Sequence, residues 1–343
     1  MQEISWFETP PAEAIAAAQA MLNVLGALDG QSAITTIGKQ MAQIPAHPRV
    51  ARLLVEARER GIGSRAATLA AILGERDLRK QQNQSEARRY GSKERSDLLL
   101  LESSFEDAVS SRFSPMILES LGLEQGSCRA VARAREQYLR FAGRDMPNGE
   151  NTDDDLLKSI LTAYPDRVAR RGKERELVMA TGGTARLSES SSVDERFVVA
   201  VDAEERNEGK GRKIQVRIAS GIDESWLLEL FPNDISEQNE ASWNEKAERV
   251  EWVERLLYRQ LTIDEIRSSG RGKSEAEQLL YKQVVARGIH SFFDGQLEQY
   301  LARIEFGARA ANASLQQGAA QSIVEKTIRK ACSDCLSFEE LRK

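Results

Sequence analysis

The stretch ITTIGKQMAQIPAHPRVARLLVEA, residues 34–57, contains the boundary between two structural modules of this sequence. Its first half has the pattern of a short helix that ends at Pro45, because proline has no N–H to continue a helix and its ring obstructs the preceding turn. Its second half begins at Pro48 and repeats apolar residues at the i, i+3, i+4 and i+7 positions of one helix face. These residues are Val50, Leu53, Leu54 and Ala57. We therefore expect one domain to end near residue 46 and a helical domain to follow it.

A winged-helix module is predicted for residues 1–46, upstream of this boundary. Pro10 and Pro11 precede an alanine-rich helix pattern over residues 12–28, and proline is favoured at a helix start. A turn that contains glycine and aspartate then leads to the apolar run of residues 34–45. Two helices and a small hairpin-like turn suit a winged helix, although helical spacing alone would also fit another small bundle.

A bundle of about five or six helices is predicted for residues 47–172. Two further apolar stripes support this prediction, with Leu98, Leu101, Phe105 and Ala108 in one and Val131, Ala134, Tyr138 and Phe141 in the other. Each stripe places its members on one face of a helix with 3.6 residues per turn. The bundle would therefore bury one face of each helix.

A small OB-like β-barrel is predicted for residues 173–269, where the apolar period changes from about 3.6 to 2. The strand patterns are ELVMATGGTARL (176–187), RFVVAVDAEE (196–205), RKIQVRIASGI (212–222) and KAERVEWVERLLYRQLTI (246–263). About five short strands fit a small closed barrel, with one helix at ESWLLELF (224–231) between them. A C-terminal helical segment, cut short at its end, is expected over residues 270–343. The predicted fold class is thus multidomain and mainly α.

Composition and charge predict a cytoplasmic protein without a membrane span. The chain of 343 residues has a net charge of −5 at pH 7, and it has no run of about 18 apolar residues, as a transmembrane helix would need. Its three cysteines do not suit a disulfide framework. Residues 47–172 contain 22 lysines and arginines against 19 acidic residues, whereas residues 174–269 contain 13 against 21. Nucleic-acid binding would therefore depend on a local groove and not on overall charge.

Candidate catalytic and metal-binding groups are sparse. Cys332 and Cys335 form one CxxC, and a zinc site would need two more ligands that lie far away in the sequence. The three aspartates at 153–155 precede a helix pattern, where carboxylates stabilise the helix N-terminus. His47 lies at a helix start, where we expect capping or packing. No catalytic residue and no metal site are therefore predicted.

The segment SSGRGKSEAEQ, residues 268–278, contains only the last three residues of a phosphate-binding P-loop, Gly272-Lys273-Ser274. Arg267 occupies the position of the first glycine, which a P-loop needs so that backbone N–H groups can surround the phosphates. The same arginine stands where a DExH motif would need histidine. We expect a turn here, with Ser274 as the N-cap of the following helix.

One arginine stripe is predicted on a single helix of the bundle. Arg129, Arg133 and Arg140 fall within about 40° of one another on a helix with 3.6 residues per turn. Such a stripe could face phosphates, but Glu136 lies among the arginines. An internally paired, solvated face is the favoured interpretation.

The candidate nucleic-acid-binding residues are Arg167, Arg170 and Arg171, which lie where the helical block meets the predicted barrel. A groove lined by these side chains could hold a phosphate backbone. A set of salt bridges between two domains would explain the same cluster equally well.

Several segments resemble the DEAH-box helicases. Residues 34–57 look like the segment that follows the two motor domains in that family, and His47-Pro48-Arg49 is similar to the bacterial HrpB-type branch. AYPDRVARR (163–171) resembles the junction before the OB-like domain of that branch. GGTARL and FVVAVDAEE resemble the first barrel strands, and LARIEFGARA and CLSFEELRK resemble parts of the branch-specific C-terminal region.

This resemblance implies the C-terminal accessory region of an ATP-dependent RNA helicase of HrpB type. The implied domains are a winged helix, a ratchet-like helical bundle, an OB-like domain and the start of a C-terminal domain. The sequence departs from the family because it has no complete P-loop, no DEAH box and no arginine-finger motif. We therefore expect no cofactor in this chain, with ATP and Mg²⁺ bound only by RecA-like motor domains that are encoded separately or missing from a fragment.

Two hypotheses about function follow. In the first, the chain guides single-stranded RNA or DNA as the accessory region of an HrpB-like helicase and has no ATPase activity by itself. In the second, it is a protein-interaction module that docks on a separate motor or a ribonucleoprotein partner. The acidic segment 174–269 and the paired arginine stripe favour the second hypothesis.

Overall fold

The computed structural model describes residues 8–75, 77–79, 94–143, 152–208, 211–268, 274–288, 291–292, 299, 302–303, 306–307, 319–333 and 335–342. The chain divides into two compact units, Met1–Asp234 with Arg259–Leu261 and Ile235–Tyr258 with Thr262–Lys343. Within the described ranges, no helix is both long enough and apolar enough to cross a membrane.

The N-terminal segment of the first unit contains α1 (Ala12–Val24), an antiparallel bridge between Leu28 and Ile34, and α2 (Thr36–Met41). Thr35 caps α2, because its Oγ1 accepts a hydrogen bond from the amide of Gly38 at 3.0 Å. A Cβ atom on Gly38 would lie 2.2 Å from the carbonyl oxygen of Ala27. Only glycine therefore allows α2 to pack this closely against the preceding turn.

Six helices follow in the described part of residues 47–172: α3 (Pro48–Glu59), α4 (Gly63–Gly74), α5 (Asp97–Ser110), α6 (Pro115–Ser120), α7 (Gln125–Ala142) and α8 (Thr152–Ala163). The apolar stripes expected on α3 and α5 are buried along their whole length. His47 caps α3 as expected, because its Nδ1 accepts a hydrogen bond from the Arg49 amide at 3.3 Å. α4 and α7 pack so closely that a Cβ atom on Gly63 would lie 2.2 Å from the carbonyl oxygen of Ala142.

A closed five-stranded barrel completes the first unit, with β1 (Val168–Arg171), β2 (Glu176–Met179), β3 (Thr184–Leu187), β4 (Phe197–Glu208) and β5 (Gly211–Ile222). The strand order is β1-β2-β3-β5-β4, β4 also pairs with β1, and β3 runs parallel to β5. The apolar core contains residues from all five strands, among them Ala169, Leu177, Leu187, Val198 and Val216. The expected helix after β5 is present as α9 (Ser225–Leu230).

The closed barrel covers a different range of the chain from the expected 173–269. The barrel begins before residue 173, because β1 pairs with both β2 and β4. It ends before residue 269, because a separate three-stranded sheet with the order β6-β7-β8 follows. Its strands are β6 (Ile235–Asn244), β7 (Arg249–Tyr258) and β8 (Leu261–Ser268). The alternation in the sequence identifies strands, but it does not show which sheet a strand joins.

The second unit packs this sheet against α10 (Ser274–Arg287), α11 (Ala319–Cys332) and α12 (Phe338–Leu341). Its core includes Leu280, Val284 and Ile328, and the ring of Phe338 lies 4.6 Å from that of Trp243. Ser274 is the first residue of α10, one position inside the expected N-cap. Gly272 and Lys273 of the P-loop-like turn lie outside the described residues.

A buried carboxylate connects the bundle to the barrel within the first unit. Asp97, in the first turn of α5, is 5% exposed. Its carboxylate accepts hydrogen bonds from the Ser191 hydroxyl at 2.6 Å and from the amides of Ser192 and Ala219, each at 3.0 Å. Burial raises the pKa of this carboxyl group, against the opposing effect of the hydrogen bonds. The start of α5 is thereby held against the β3–β4 loop and β5.

Candidate nucleic-acid interface

A cleft of about 740 Å³ in the first unit brings together polar groups from distant parts of the chain. The polar residues that line it are His47, Arg49, Tyr138, Tyr164 and Arg167. The first two lie at the start of α3, Tyr138 lies on α7, and Tyr164 and Arg167 belong to the turn that leads into β1. We refer to it as the α3–β1 cleft.

Arg49 holds two sides of the cleft together. Its guanidinium group donates hydrogen bonds to both carboxylate oxygens of Asp166, at 2.7 and 2.8 Å, and to the carbonyl oxygen of Ala163 at 2.9 Å. Burial alone would raise the pKa of Asp166, but the paired Arg49 holds that pKa below its usual value. A bidentate pair of this kind fixes orientation as well as distance. Arg49 is therefore primarily a structural cation whose charge Asp166 offsets.

Arg167 is the member of the predicted arginine trio that lines the cleft. It donates a hydrogen bond to the carbonyl oxygen of Val201 at 3.0 Å, and its guanidinium carbon lies 5.5 Å from the centre of the Tyr164 ring. Burial, and then the nearby charge of Arg49, lowers the pKa of Arg167. Because arginine stays protonated in proteins, this shift marks a partly desolvated cation that has a second cation, Arg49, beside it.

His47 adds a titratable group to the same cleft. Its side chain is exposed, and its Nδ1 is used as the acceptor for the α3 cap. The neutral ring therefore carries its proton on Nε2. Partial desolvation, followed by the charges of Arg49 and Arg167, lowers the pKa of His47. An anion in the cleft would relieve this repulsion.

The two other candidate arginines do not line the cleft. Arg170 is half-buried within β1. Arg171 donates a hydrogen bond to the carbonyl oxygen of Val193 at 2.7 Å and forms an ion pair with Asp194 at 2.6 Å. The three arginines are therefore placed along one segment of chain, but only Arg167 belongs to the cleft.

The chemistry of the α3–β1 cleft suits a phosphate that carries an aromatic base. Arg167 and His47 offer N–H donors beside Arg49, and the half-buried ring of Tyr138 offers an aromatic surface. Proteins hold single-stranded nucleic acids with cations along the backbone and aromatic rings against the bases.

Sequence reasoning missed Arg49 and Tyr138 as parts of this site. Arg49 and Asp166 are separated by 117 positions, so no local pattern predicts their pairing. Tyr138 stands in an apolar stripe, where an aromatic residue is first interpreted as core. The His-Pro-Arg at 47–49 was the one available signal for this end of the cleft.

The acidic cluster and the cysteine pair singled out in the sequence have structural surroundings. The aspartates at 153–155 lie in the first turn of α8, and each pairs with an arginine, namely Arg65, Arg95 and Arg60 in that order. Cys332 and Cys335 are both reduced thiols, and burial raises the pKa of Cys332 to about 11. Among the residues that the structure describes, no cluster of three or more His, Cys, Asp or Glu side chains could hold a metal ion.

Comparisons with known proteins relate the chain to RNA helicases. Residues 18–46 match the helicase associated domain (HA2), winged-helix. Over 290 residues, which are 84% of this chain and 31% of the relative, the sequence is 24% identical to ATP-dependent RNA helicase HrpB of Escherichia coli (strain K12). Over 74 residues, 22% of this chain and 10% of the relative, it is 38% identical to the probable ATP-dependent RNA helicase DHR2 of Saccharomyces cerevisiae.

The fold is also similar to a solved helicase structure. The crystal structure of E. coli DExH-box NTPase HrpB matches with a TM-score of 0.51 and 20% identity, over 99% of this chain and 38% of that one. The chain thus spans about a third of the length of the HrpB relative. The sequence and fold similarities are consistent with a C-terminal accessory region of an HrpB-type helicase, and the predicted winged helix is confirmed over residues 18–46.

Proposed function

We propose that this chain is an accessory region of an HrpB-type RNA helicase and guides single-stranded RNA through the α3–β1 cleft. The observation that carries the proposal is the convergence of Arg167, His47 and Tyr138 on one cleft. The cation and the imidazole would contact phosphates, and the tyrosine ring would stack on a base. The relatives are named as RNA helicases, which supports RNA over DNA as the ligand.

We propose further that the barrel is of OB type. The strand order β1-β2-β3-β5-β4, with closure between β1 and β4, supports this assignment. OB-folds bind oligonucleotides on the face of strands 2 and 3 and with the loop that follows strand 1. Arg170 and Arg171 end β1 and directly precede that loop, so we keep them as proposed contacts for RNA that leaves the cleft.

ATP hydrolysis would belong to RecA-like motor domains with which this region works. The sequence carries only the last three residues of a P-loop. We therefore expect the purified chain to release no phosphate from ATP above the buffer background, with or without RNA and Mg²⁺. Turnover that survives further purification and follows the chain through gel filtration would contradict this part of the proposal.

Fluorescence anisotropy with a labelled single-stranded 12-nucleotide RNA, at 50 and 200 mM salt, tests the cleft. Each neutralised phosphate contributes about −0.7 to the slope of log K against log salt, and we expect one to three such contacts. Arg167→Gln should weaken binding about tenfold and flatten the slope by about 0.7. Tyr138→Leu should weaken binding by about 1–3 kcal/mol through the loss of stacking and leave the slope unchanged.

Arg58→Gln is the matched control, because Arg58 is exposed near the C-terminal end of α3 and does not line the cleft. This variant should bind RNA like the unmodified chain. RNA affinity that does not change with salt concentration would contradict binding in the cleft. Equal affinities of the Arg167→Gln, Tyr138→Leu and control variants would contradict it as well.

A second function, docking on a protein partner, is favoured by the exposure of α1. This helix has the sequence AEAIAAAQAMLNV, and none of its residues is buried. Next to it lies an apolar groove of about 260 Å³ whose lining includes Leu22, Ile34 and Met41. Ile34 is 51% exposed. An apolar helix beside an apolar groove suits a protein surface, and we propose RecA-like motor domains as its occupant.

Ile34→Glu tests this docking surface by isothermal titration against separately purified RecA-like domains of an HrpB-type helicase. The charge should abolish measurable heat of binding while single-stranded RNA affinity stays unchanged. Ile266→Glu, at a residue that is 57% exposed on β8, is the control and should bind the motor normally. If Ile34→Glu binds equally well, the motor does not occupy this groove.

A further inference from the structure

One face of α7 carries a row of arginines that the fold does not use. Arg129, Arg133 and Arg140 are all exposed on this helix, together with Glu136. At 3.6 residues per turn the three arginines lie within about 40° of one another, and at 1.5 Å per residue the row is about 16 Å long. We call these three residues the α7 arginine row.

These arginines are not engaged by neighbouring carboxylates. The side chains of these three arginines and of Glu136 form no hydrogen bond or ion pair with another residue in the described ranges. The pairing with Glu136 that the sequence favoured is therefore not formed. By contrast Arg135, on the packed side of the same helix, lies 3.1 Å from the Glu106 carboxylate. The fold neutralises the arginine that it packs and leaves the row with a net positive charge.

The α7 arginine row is separate from the α3–β1 cleft. Tyr138, the α7 residue that lines the cleft, is about 160° around the helix axis from the centre of the row at 100° per residue. A strand that stacks on Tyr138 therefore cannot lie along the row on the same part of the helix. Any ligand of the row is a second one.

The composition of the row indicates which nucleic acid it fits. The exposed side chains of α7 beside the arginines are those of Glu136 and Gln137, so the described residues of this helix face offer no aromatic side chain on which an unpaired base could stack. A duplex needs no such platform, because its bases are stacked inside and its phosphates form a dense, rigid array. Double-stranded RNA is recognised mainly through its shape, its phosphates and its 2′-hydroxyl groups.

We infer that the α7 arginine row binds the phosphate backbone of double-stranded RNA, independently of the cleft proposed for the single strand. Three guanidinium groups on a rigid helix contact phosphates of the duplex, and Glu136 weakens this contact by repulsion. The chain then has one site for an unpaired strand and another, on the opposite side of α7, for a paired one.

Anisotropy titration of the full chain with a labelled, blunt 20-base-pair RNA duplex at 50 and 200 mM salt tests this inference. The variant Arg129→Gln/Arg133→Gln/Arg140→Gln keeps residues that form helices well and should bind the duplex at least tenfold more weakly. With about −0.9 per neutralised phosphate, its slope of log K against log salt should be flatter by about 2–3. Glu136→Gln should strengthen duplex binding about threefold, a gain that misfolding could not produce.

Two controls separate this site from bulk charge and from the cleft. Lys39→Gln/Lys246→Gln/Lys326→Gln removes the same charge from scattered exposed positions and should bind the duplex like the unmodified chain. Arg167→Gln should lose single-strand affinity and keep duplex affinity. Unchanged single-strand affinity would count against the cleft alone, whereas a loss of duplex affinity would contradict the independence of the two sites. Equal duplex binding by the triple arginine variant and the lysine control would overturn the inference. Binding of an acidic polyglutamate peptide to the α7 arginine row, without binding of the duplex, would also overturn the inference.

Discussion

At the scale of single residues, the charged side chains of the α3–β1 cleft differ in how many hydrogen bonds and ion pairs they already form within the protein. Arg49 is bound on both carboxylate oxygens of Asp166, whereas Arg167 contacts one carbonyl oxygen and an aromatic ring. His47 is committed through Nδ1 and free to donate from Nε2. Arg49 should therefore matter most for the stability of the fold, and Arg167 and His47 for the binding of a ligand.

The Arg49–Asp166 pair is expected to stabilise the first unit. Arg49→Ala and Asp166→Ala should each lower the free energy of unfolding by about 2–3 kcal/mol, below the range for fully buried pairs, because the Asp166 side chain is 26% exposed. The double variant should lose clearly less free energy of unfolding than the two single variants lose together. Urea unfolding followed by circular dichroism at pH 7 measures all three.

Arg58→Ala is the control for this cycle, because Arg58 is exposed on the same helix. We expect it to change the free energy of unfolding by less than about 0.5 kcal/mol. Strict additivity of the two single variants would mean that the pair is not coupled as its geometry indicates.

His47 predicts a loss of stability in mildly acidic solution. Its pKa in the folded chain lies below the ordinary value of 6.5, so the unfolded chain takes up the proton first as the pH falls. The free energy of unfolding should therefore be fully maintained above about pH 7.5 and should decrease as the pH falls through 6.5 toward the folded-state pKa.

His47→Asn isolates this effect, because asparagine is a good N-cap residue and does not titrate. The urea concentration at the midpoint of unfolding, measured for both proteins in steps between pH 8 and pH 5, should fall further for the unmodified chain than for His47→Asn as the pH decreases. Parallel curves would show that His47 has the same pKa in the folded and unfolded chains.

At the scale of secondary structure, the sequence predicts those elements whose pattern of apolar residues lies within one segment of the chain. The stripes of α3 and α5 have a 3.6-residue period because each helix buries one face, and both were predicted correctly. β6 was missed because ISEQNEASWN is polar and much of the strand is exposed. β1 was missed because VARR is short and charged, and its membership of the barrel depends on pairing with β2 and with the distant β4.

The same distinction applies to the candidate site. Arg167 was predicted from a local concentration of arginines. Arg49 and Tyr138 join it only through tertiary packing, since Arg49 meets Asp166 across 117 positions. Local chemistry was therefore visible in the sequence, whereas the cleft itself was not.

The connection of α5 to the barrel should be sensitive to the charge state of one side chain. Asp97→Asn replaces one acceptor oxygen with an NH₂ group that faces buried donors. Leaving such donors without an acceptor costs about 1–3 kcal/mol, and we expect a loss of this size in the free energy of unfolding. Thermal and urea unfolding of the variant measure it.

Asp107→Asn is the matched control on the same helix, because Asp107 is exposed. Its stability should stay within about 0.5 kcal/mol of the unmodified chain. If Asp97→Asn is equally harmless, the carboxylate is not required to hold α5 against the barrel.

At the scale of the whole molecule, the two units have separate cores. Leu177, Val198 and Val216 belong to the barrel core of the first unit, and Leu280 and Ile328 to the core of the second. The function proposed here also divides along these lines, because the cleft, the barrel and the α7 arginine row all lie in the first unit. Changes in the core of the second unit should therefore leave RNA binding intact.

Separate cores predict two thermal transitions. Leu280→Ala removes a side chain that is 0% exposed in the second unit, at a cost of about 2–5 kcal/mol. Differential scanning calorimetry should show one transition shifted to lower temperature and the other unchanged. Leu53→Ala, also at 0% exposure but in the first unit, should shift the other transition. A single transition that moves with either variant would contradict independent unfolding.

The close approaches at Gly38 and Gly63 restrict which amino acids these positions tolerate. An added Cβ atom would lie 2.2 Å from a backbone carbonyl oxygen at each of them, whereas at Gly30 it would meet nothing within 4 Å. A backbone oxygen cannot swing aside as a flexible side chain can. In a library of all single substitutions selected for soluble folded protein, Gly38 and Gly63 should be depleted of every replacement, alanine included, while Gly30 should accept most of them. At Gly38 and Gly63 the packing thus leaves room for a hydrogen atom and for no larger substituent.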